Sequence, residues 1–531
     1  MGASTSGCTC FLKPGSGMPA TLATGLLTLA VLLPLVAVLV RGLPSAASVL
    51  ARDWDVVLAT LGLVLAGTAL SVVLGGGLAL LSWLARLPAW TDALLAGAYL
   101  VPPFIGATAW LAALGPGNVF TGRPLLPMYS AAGILLAWTT HYAPLACLLI
   151  RVTLAGQGDL PALAARVHGL GARQTLIRIT LPLAARGVGA ATTLVALSLL
   201  GNYGVPAVLG FPAKIYTLAT LAYARLLNPS LADPLSAASG VAWLLVVLAL
   251  PTLIRRQGGA GPDAVSELPL PVPAPLRVMA WSAVGLWTAL AVALPLLALV
   301  LLAFQPAYTG GFTMQNFHDA FALGTVRRGL LNSVLLALGT AVLCAFLGLI
   351  LARAGQNSAG QNASGRTSRL ICVFLRLLSL PYLLPGTLLA LGMILVFGGT
   401  PLYATPLFLT LAYLARFISP GLTNAQAALS SSLLQLEFAA GVHGLSPLRR
   451  FWLIAFPLLR PQLVASFLVV YPLVLSEVTL SSLLYSPGAE TAGVGVLNLL
   501  SEGNVRAAAA LALVLLLLCL PTLLVPRGRH A

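Results

Sequence analysis

Long apolar runs alternate with short polar breaks along most of the chain. A hydrocarbon core about 30 Å thick needs roughly 20 apolar residues in an α-helix that crosses it. Runs of that length fall at 20–41, 56–84, 91–114, 129–154, 185–209 and 233–254, and again at 277–304, 329–353, 370–398, 403–427, 461–486 and 506–526. The pattern therefore predicts an all-α polytopic membrane protein with about twelve transmembrane helices.

A polar, Pro-rich stretch separates two groups of six predicted spans. It begins at Arg255-Arg256 and ends in a run with proline at every second position from Pro269 to Pro275. Such a run is typical of an extended linker. We predict a tail at 1–19, a six-helix domain at 20–255, a linker at 256–276, a second six-helix domain at 277–526 and a tail at 527–531.

The two groups of spans are copies of one unit. Segments 163–182 (LAARVHGLGARQTLIRITLP) and 438–457 (FAAGVHGLSPLRRFWLIAFP) are identical at eight of twenty positions, at a constant offset of 275. These identities lie in a polar connection, where chance matches are rarer than between apolar runs. Because six spans return the chain to the same side, the copies are parallel rather than inverted repeats.

Composition and charge agree with a membrane location. Charged residues make up 8% of the chain and the mean hydropathy is +0.99, whereas soluble domains contain about 25% charged residues. These values exclude soluble enzymes and nucleic-acid-binding proteins, despite a net charge of +16. With the N-terminus in the cytosol, 20 of the 28 Lys and Arg fall on the cytosolic side. Positive residues concentrate there in membrane proteins, so we predict cytosolic termini.

The duplicated segments share the spacing of a known motif. In both, two alanines precede a glycine by five and four positions, and an Ile-x-apolar-Pro sequence begins ten residues after that glycine. This pattern, between the fourth and fifth spans of each half, resembles the EAA loop of ATP-binding-cassette (ABC) importer permeases. The resemblance implies a short helix that docks on a cytosolic ATPase. The candidate docking residues are Ala164, Ala165, Gly169, Ile179, Pro182, Ala439, Ala440, Gly444, Ile454 and Pro457.

Both copies depart from the motif at its first position. The Glu that gives the loop its name is Leu163 in the first half and Phe438 in the second, where Glu437 lies one residue earlier. The docking helix therefore lacks one ionic contact of the family. The glycine and proline roles do not depend on it, since glycine permits a sharp turn and proline suits the first turn of a helix.

Other stretches extend the resemblance over essentially the whole chain. Segments 199–223, 378–395 and 476–513 are similar to ferric-iron-type permeases in which both six-helix halves are fused. The resemblance implies a permease of the bacterial cytoplasmic membrane, surrounded by lipid, that imports ferric iron. It also implies two copies of a cytosolic ABC ATPase and a periplasmic or lipid-anchored substrate-binding protein as partners. Thiamine, polyamine and aminophosphonate importers share this framework and stay open as alternatives.

The chain has no motif for hydrolysing ATP itself. A Walker A loop needs Gly-Lys followed by Ser or Thr, and the only lysines, Lys13 and Lys214, follow Leu12 and Ala213. No His, Cys or carboxylate cluster has metal-ligand spacing. We expect no enzymatic activity, no metal and no bound cofactor, with ATP used by the partner subunits. An ion-coupled secondary transporter is the alternative from another class, although such carriers usually place several charged residues in their spans.

Few ionisable residues interrupt the predicted spans. Glu477 corresponds at the offset of 275 to Asn202, so both are candidate residues of a translocation pathway between the halves. The alternative is that Glu477 caps local backbone or pairs with an arginine. His141 and Arg416 could contact substrate, but an arginine near the cytosolic end of a span usually extends to lipid phosphate. We therefore interpret Arg416 as lipid-facing.

Overall fold

The computed structural model describes residues 17–156, 160–254, 272–306, 311–359, 366–429 and 431–524. Helices dominate this part of the chain and no strand occurs in it, which confirms the all-α polytopic fold. The predicted N-terminal tail up to residue 16, linker residues 256–271 and the C-terminal tail lie outside the described residues.

The first half consists of eleven helices, several of them short. They are α1 (Gly17–Arg52), α2 (Trp54–Leu84), α3 (Thr91–Leu100), α4 (Pro103–Leu114), α5 (Ala131–Ala155), α6 (Leu160–Val167), α7 (Ala172–Thr175), α8 (Leu181–Leu200), α9 (Gly204–Leu209), α10 (Leu218–Leu226) and α11 (Pro234–Ile254). A π-helical turn, Leu176–Thr180, joins α7 to α8.

The described part of the second half contains fourteen helices. They are α12 (Ala274–Trp287), α13 (Leu294–Phe304), α14 (Gln315–Ala322), α15 (Gly324–Ala359), α16 (Arg366–Leu377), α17 (Leu380–Leu383), α18 (Gly386–Phe397), α19 (Pro406–Ala428), α20 (Ser431–Val442), α21 (Pro447–Arg450), α22 (Phe456–Leu475), α23 (Thr479–Leu484), α24 (Ala492–Ser501) and α25 (Val505–Leu524). π-Helical turns at Thr288–Ala293 and Phe451–Ala455 join α12 to α13 and α21 to α22.

Most of the predicted spans correspond to one apolar helix. Eight described helices are long and apolar enough to cross a membrane, and there are ten spans if each of two bent pairs counts as one. The bent pairs are α3–α4, with an angle of 89°, and residues 369–383 with α18, with an angle of 108°. The other two predicted spans fall on α19, which carries Arg416 near its middle, and on α25.

Two predicted spans are shorter than expected. The spans predicted at 185–209 and 461–486 end as regular helices at Leu200 and Leu475, and short helices α9 and α23 follow each break. The apolar pattern continues across the break, so hydropathy alone does not reveal it. From α7 to α9, every helix boundary recurs 275 residues later in α21 to α23, as the duplication predicts.

The two halves interlock through their first helices. Helix α1 packs against α11 of its own half and against α16 and α18 of the other, while α13 packs against α4 of the first half. The approach of α18 to α1 is close, because a Cβ added to Gly392 would lie 2.9 Å from the Cα of Pro34. One continuous core of buried apolar side chains therefore runs through both halves.

Candidate functional site

The first duplicated loop, residues 163–182, makes a sharp turn at Gly169. Helix α6 ends at Val167, and Gly169 has a φ of +74°. The amides of His168 and Leu170 donate to the carbonyls of Ala164 and Ala165, at 3.1 and 2.9 Å, and so close the C-terminus of α6. This left-handed conformation costs a residue with a Cβ about 1–2 kcal/mol, which explains the glycine.

The second duplicated loop, residues 438–457, has the same backbone. Gly444 has a φ of +82°. The amides of His443 and Leu445 donate to the carbonyls of Ala439 and Ala440, both at 3.1 Å. The two copies therefore share their conformation as well as their sequence.

The ten candidate docking residues divide in the same way in both loops. Those at the surface are Ala164, Gly169, Pro182, Ala439, Gly444 and Pro457; those buried or half-buried are Ala165, Ile179, Ala440 and Ile454. Next to the exposed positions, Val167 and Val442 are 85% and 71% exposed. Each loop thus presents a small-residue surface with an uncovered apolar side chain at the same place.

The structure gives Glu437 a role within the chain. Its Oε1 accepts a hydrogen bond of 2.7 Å from Arg353 of α15, and the same guanidinium lies over the Phe451 ring, 5.5 Å from the centroid. Glu437 therefore fastens α20 to a span and does not replace the missing motif acid at Phe438, whose side chain is exposed. The first half has Ala162 at the equivalent position and lacks this ion pair.

Asn202 and Glu477 both begin a short helix after a break in a span. The Asn202 Oδ1 accepts from the amide of Val205 at 3.1 Å, and the Glu477 Oε1 accepts from the amide of Leu480 at 2.7 Å. These are equivalent contacts at the offset of 275, and they satisfy amides that the start of a helix leaves free. Local capping, the alternative interpretation of Glu477, is thus present.

Asn202 also ties α8 to α5. Its Oδ1 accepts from the Trp138 indole at 3.2 Å, and its Nδ2 donates to the Tyr142 hydroxyl at 3.0 Å. In the second half, Tyr413 occupies the position of Trp138, and its hydroxyl hydrogen-bonds with Ser481 at 2.6 Å. The second half thus joins α19 to α23, whereas in the first half Asn202 joins α5 to the break between α8 and α9.

The expectation that Arg416 faces lipid is wrong. Arg416 lies near the middle of α19, and its guanidinium packs against Gly386, the first residue of α18 after the 108° bend. A Cβ added to Gly386 would lie 2.8 Å from the Arg416 Cζ and 3.2 Å from its Nη2. Because Gly386 has no side chain to exclude it, the guanidinium turns inward instead of extending to the end of the span.

Arg416 belongs to a group of polar side chains that both halves contribute. His141, at the position equivalent to Arg416, packs on Tyr99 and Tyr142 with ring centroids 5.1 and 4.6 Å apart. Tyr382 packs on Phe417, the residue after Arg416, with ring centroids 6.4 Å apart, and Tyr142 and Tyr382 lie within electrostatic range of Arg416. We call Tyr99, His141, Tyr142, Tyr382 and Arg416 the central polar cluster. His141 and Arg416 are 275 residues apart, the offset of the duplication, whereas the tyrosines carried no sequence signal.

A cavity of about 160 Å³ also lies between the halves. Its walls include Tyr129, Tyr203 and Tyr223 of the first half and Ser482 and Asn498 of the second. The rest of the wall is mostly apolar, and no charged side chain of the described residues lines the cavity.

Part of the chain matches a known protein family. Residues 345–526 match the family model described as binding-protein-dependent transport system inner membrane component. This range contains the second duplicated loop, Arg416 and Glu477. The match supports the resemblance of the sequence to ABC importer permeases. Such permeases are translocation subunits that work with an ATPase and a substrate-binding protein.

Curated relatives point to the same kind of protein. The chain is similar to the putative 2-aminoethylphosphonate transport system permease protein PhnV of Salmonella typhimurium (strain LT2), of Salmonella paratyphi A and of Salmonella typhi. Each is 25% identical over 233 residues, which is 43% of this chain and 84–85% of the relative. Together with the family match, this similarity supports a permease of the ABC-importer type.

Proposed function

We propose that this chain forms the whole transmembrane pathway of an ATP-driven import system, with both permease halves in one polypeptide. The observation that carries the proposal is the pair of duplicated loops with the same backbone turn. Each exposes a small-residue surface beside an uncovered valine, Val167 or Val442. Two matched surfaces suit two copies of one ATPase, one for each loop.

The helices that follow the loops provide a route for coupling. From Ala172 to Leu200, and from Phe451 to Leu475, one continuous helical segment leads from the loop into the interior. The first ends next to Asn202, which bonds to Tyr142 of the central polar cluster. Closure of the ATPases would push the two loops together and, through these helices, switch the interface between outward and inward openings. The arginine distribution supports loops and termini on the cytosolic side of a bacterial cytoplasmic membrane.

The substrate that we propose is ferric iron, delivered by a periplasmic or lipid-anchored binding protein. The similarity of 199–223, 378–395 and 476–513 to ferric-iron-type permeases supports this choice. The relatives named for 2-aminoethylphosphonate make that compound an alternative, and thiamine and polyamines are others. Uptake of radiolabelled ferric iron should fall in cells that lack this chain. Normal iron uptake with lost uptake of one of the other compounds would assign that compound instead.

Reconstitution distinguishes this function from a secondary transporter. The purified chain in liposomes, with its cognate ATPase and binding protein, should accumulate substrate only when ATP is supplied. An ion gradient without ATP should have no effect, because the described spans contain few charged side chains for proton or ion relay. Gradient-driven accumulation by the chain alone would contradict the proposal.

A further inference from the structure

Arg416 is a charged group without a counter-charge. Among the described residues, no carboxylate lies within 4.0 Å of its guanidinium, and its Nη1 is buried without a hydrogen-bond partner. The guanidinium lies over the Phe417 ring, 5.9 Å from Cζ to centroid. A buried charge inside a membrane protein is costly unless it is paired, so Arg416 occupies a position that an anion would stabilise.

The N-terminus of α18 adds to this positive potential. Gly386 is the first residue of α18, which is twelve residues long and has no side-chain cap. The helix dipole places partial positive charge there, together with amides that lack intrahelical partners. The Arg416 guanidinium lies directly against it. Two positive groups side by side repel each other, whereas an anion beside both of them would interact favourably with both.

A second unpartnered polar group lies at the same helix end. Thr387, the second residue of α18, is fully buried, and its Oγ1 has no hydrogen-bond partner. The Tyr142 hydroxyl already accepts from Asn202, so its own proton is free for donation. Tyr382 is 38% exposed and lies just before the bend that leads into α18. The surroundings of Arg416 therefore contain hydrogen-bond donors next to accessible space.

The intramembrane carboxylate does not compete for Arg416. Glu477 accepts a hydrogen bond from the amide of Leu480 and forms no ion pair within the described structure. His141, the other ionisable member of the cluster, is enclosed by Tyr99 and Tyr142 and hydrogen-bonds with the backbone of Ala98 and Val101. The charge character of the cluster is therefore set by Arg416.

We infer that Arg416, Thr387 and the N-terminus of α18 form a transient binding site for an anion, so that the transported species is negatively charged where it passes between the halves. The inference rests on the proposed function, whose pathway it places at the central polar cluster. Oxygen atoms of a phosphonate or carboxylate would accept from the guanidinium, the threonine and the free amides. An organophosphonate and ferric iron in an anionic chelate share this chemistry, whereas thiamine and polyamines are cations.

Equilibrium binding to the purified full chain in lipid nanodiscs tests the inference without the ATPase. The probes are 2-aminoethylphosphonate and ferric citrate as anions, and thiamine and spermidine as cations. At least one anion should bind more tightly than both cations, and the anion that binds identifies the source. Arg416→Gln should weaken its binding about tenfold or more, since hydrogen bonds to charged groups contribute about that much. Arg416→Lys should recover part of the loss.

Matched variants keep the test decisive. Arg41→Gln removes an exposed arginine elsewhere on the protein and should leave anion binding unchanged. Thr387→Val keeps the shape of the side chain and should weaken anion binding about threefold. This variant tests the site if Arg416→Gln does not fold. The inference would be overturned if neither anion bound or if a cation bound more tightly than both anions. It would also be overturned if both Arg416→Gln and Thr387→Val kept the anion affinity of the unchanged protein. ATP-dependent uptake of a cation would do the same and leave the proposed function standing.

Discussion

The two duplicated loops share one backbone conformation, whereas the helices before and after them carry different polar residues in the two halves. Gly169 and Gly444 turn the chain in the same left-handed conformation. In the interior, by contrast, the position of His141 is Arg416 in the second half, and that of Asn202 is Glu477. In the proposed function each loop fits the same kind of partner surface, so both copies would be under the same constraint. A pathway between the halves would handle one substrate and would need no symmetry.

The ion pairs on the other side of the molecule also differ between the halves. Arg225 after α9 bonds to Asp53 before α2 at 2.6 Å, and both side chains are largely buried. In the second half, Glu490 after α23 lies 3.6 Å from Arg328 of α15, whose side chain is 59% exposed. The ion pair is thus tight and buried in the first half, and loose and partly exposed in the second, where Asn332 also donates to the carbonyls of Gly488 and Glu490.

The largest effect should come from breaking the tight ion pair. Asp53→Asn leaves the Arg225 charge buried without a counter-charge, and removing one partner of a buried pair costs about 3–5 kcal/mol. We expect the free energy of unfolding in detergent to fall by about 3 kcal/mol, measured by chemical denaturation. Arg41→Gln, which breaks the exposed pair with Asp233, should cost less than about 1 kcal/mol. An equal loss of unfolding free energy in Asp53→Asn and Arg41→Gln would contradict the prediction that the buried ion pair contributes more than the exposed one.

Valine at either loop glycine should weaken binding of the ATPase. A Cβ at Gly169 or Gly444 meets no atom within 4 Å, so the effect of Gly169→Val or Gly444→Val comes from the left-handed backbone alone. Its cost of about 1–2 kcal/mol corresponds to about tenfold in affinity. Co-purification of the ATPase and its stimulated hydrolysis would measure the loss.

Gly171 provides the control for the loop variants. It lies two residues after Gly169, has a φ of −68° and also has open space around its Cβ position. Gly171→Val should therefore leave ATPase binding nearly unchanged. If Gly171→Val weakened ATPase binding as much as Gly169→Val, the left-handed turn would not be the cause of the weaker binding. If Gly444→Val alone had an effect, the two loops would not be equivalent.

Changes at the capping residues should affect stability unequally. Asn202→Ala removes bonds to Trp138, Tyr142 and the amide of Val205, so it should cost about 1–2 kcal/mol. Glu477→Gln keeps an oxygen for the amide of Leu480 and should cost only a few tenths of a kcal/mol. Thermal unfolding of both variants would measure this difference. A larger loss of transport than of stability in Glu477→Gln would instead support its role in the pathway.

The smallest effect should be the pH dependence of the loose ion pair. Burial opposes ionisation of Glu490, but the amides of Glu490 and Gly488 and the Arg328 guanidinium hold its pKa below the usual 4.5. A lowered pKa means that the carboxylate stabilises the fold above pH 4.5 and that this contribution is lost as the pH falls below that value. Glu490→Gln should therefore lower the melting temperature slightly at pH 7 and not at pH 3. An equal decrease in melting temperature at pH 7 and pH 3 would contradict a stabilising role of the ionised Glu490 carboxylate.

The sequence by itself determined the apolar spans, the duplication and the turn in each loop. Span length follows from local hydropathy, and a left-handed turn follows from one glycine, so neither needs distant contacts. It also predicted that Asn202 and Glu477 are equivalent. It did not predict the breaks that they cap, because the apolar pattern runs through those breaks without interruption.

Only the tertiary structure decided where Arg416 points and what Glu437 and Asp53 bind. Glu437 and Arg353 are 84 residues apart, and Asp53 and Arg225 are 172 apart, so no local pattern connects them. Arg416 turns inward because the bend before α18 brings a residue without a side chain, Gly386, against α19. A charged residue in a span has the same sequence whether it faces lipid or a partner helix, and packing alone distinguishes the two.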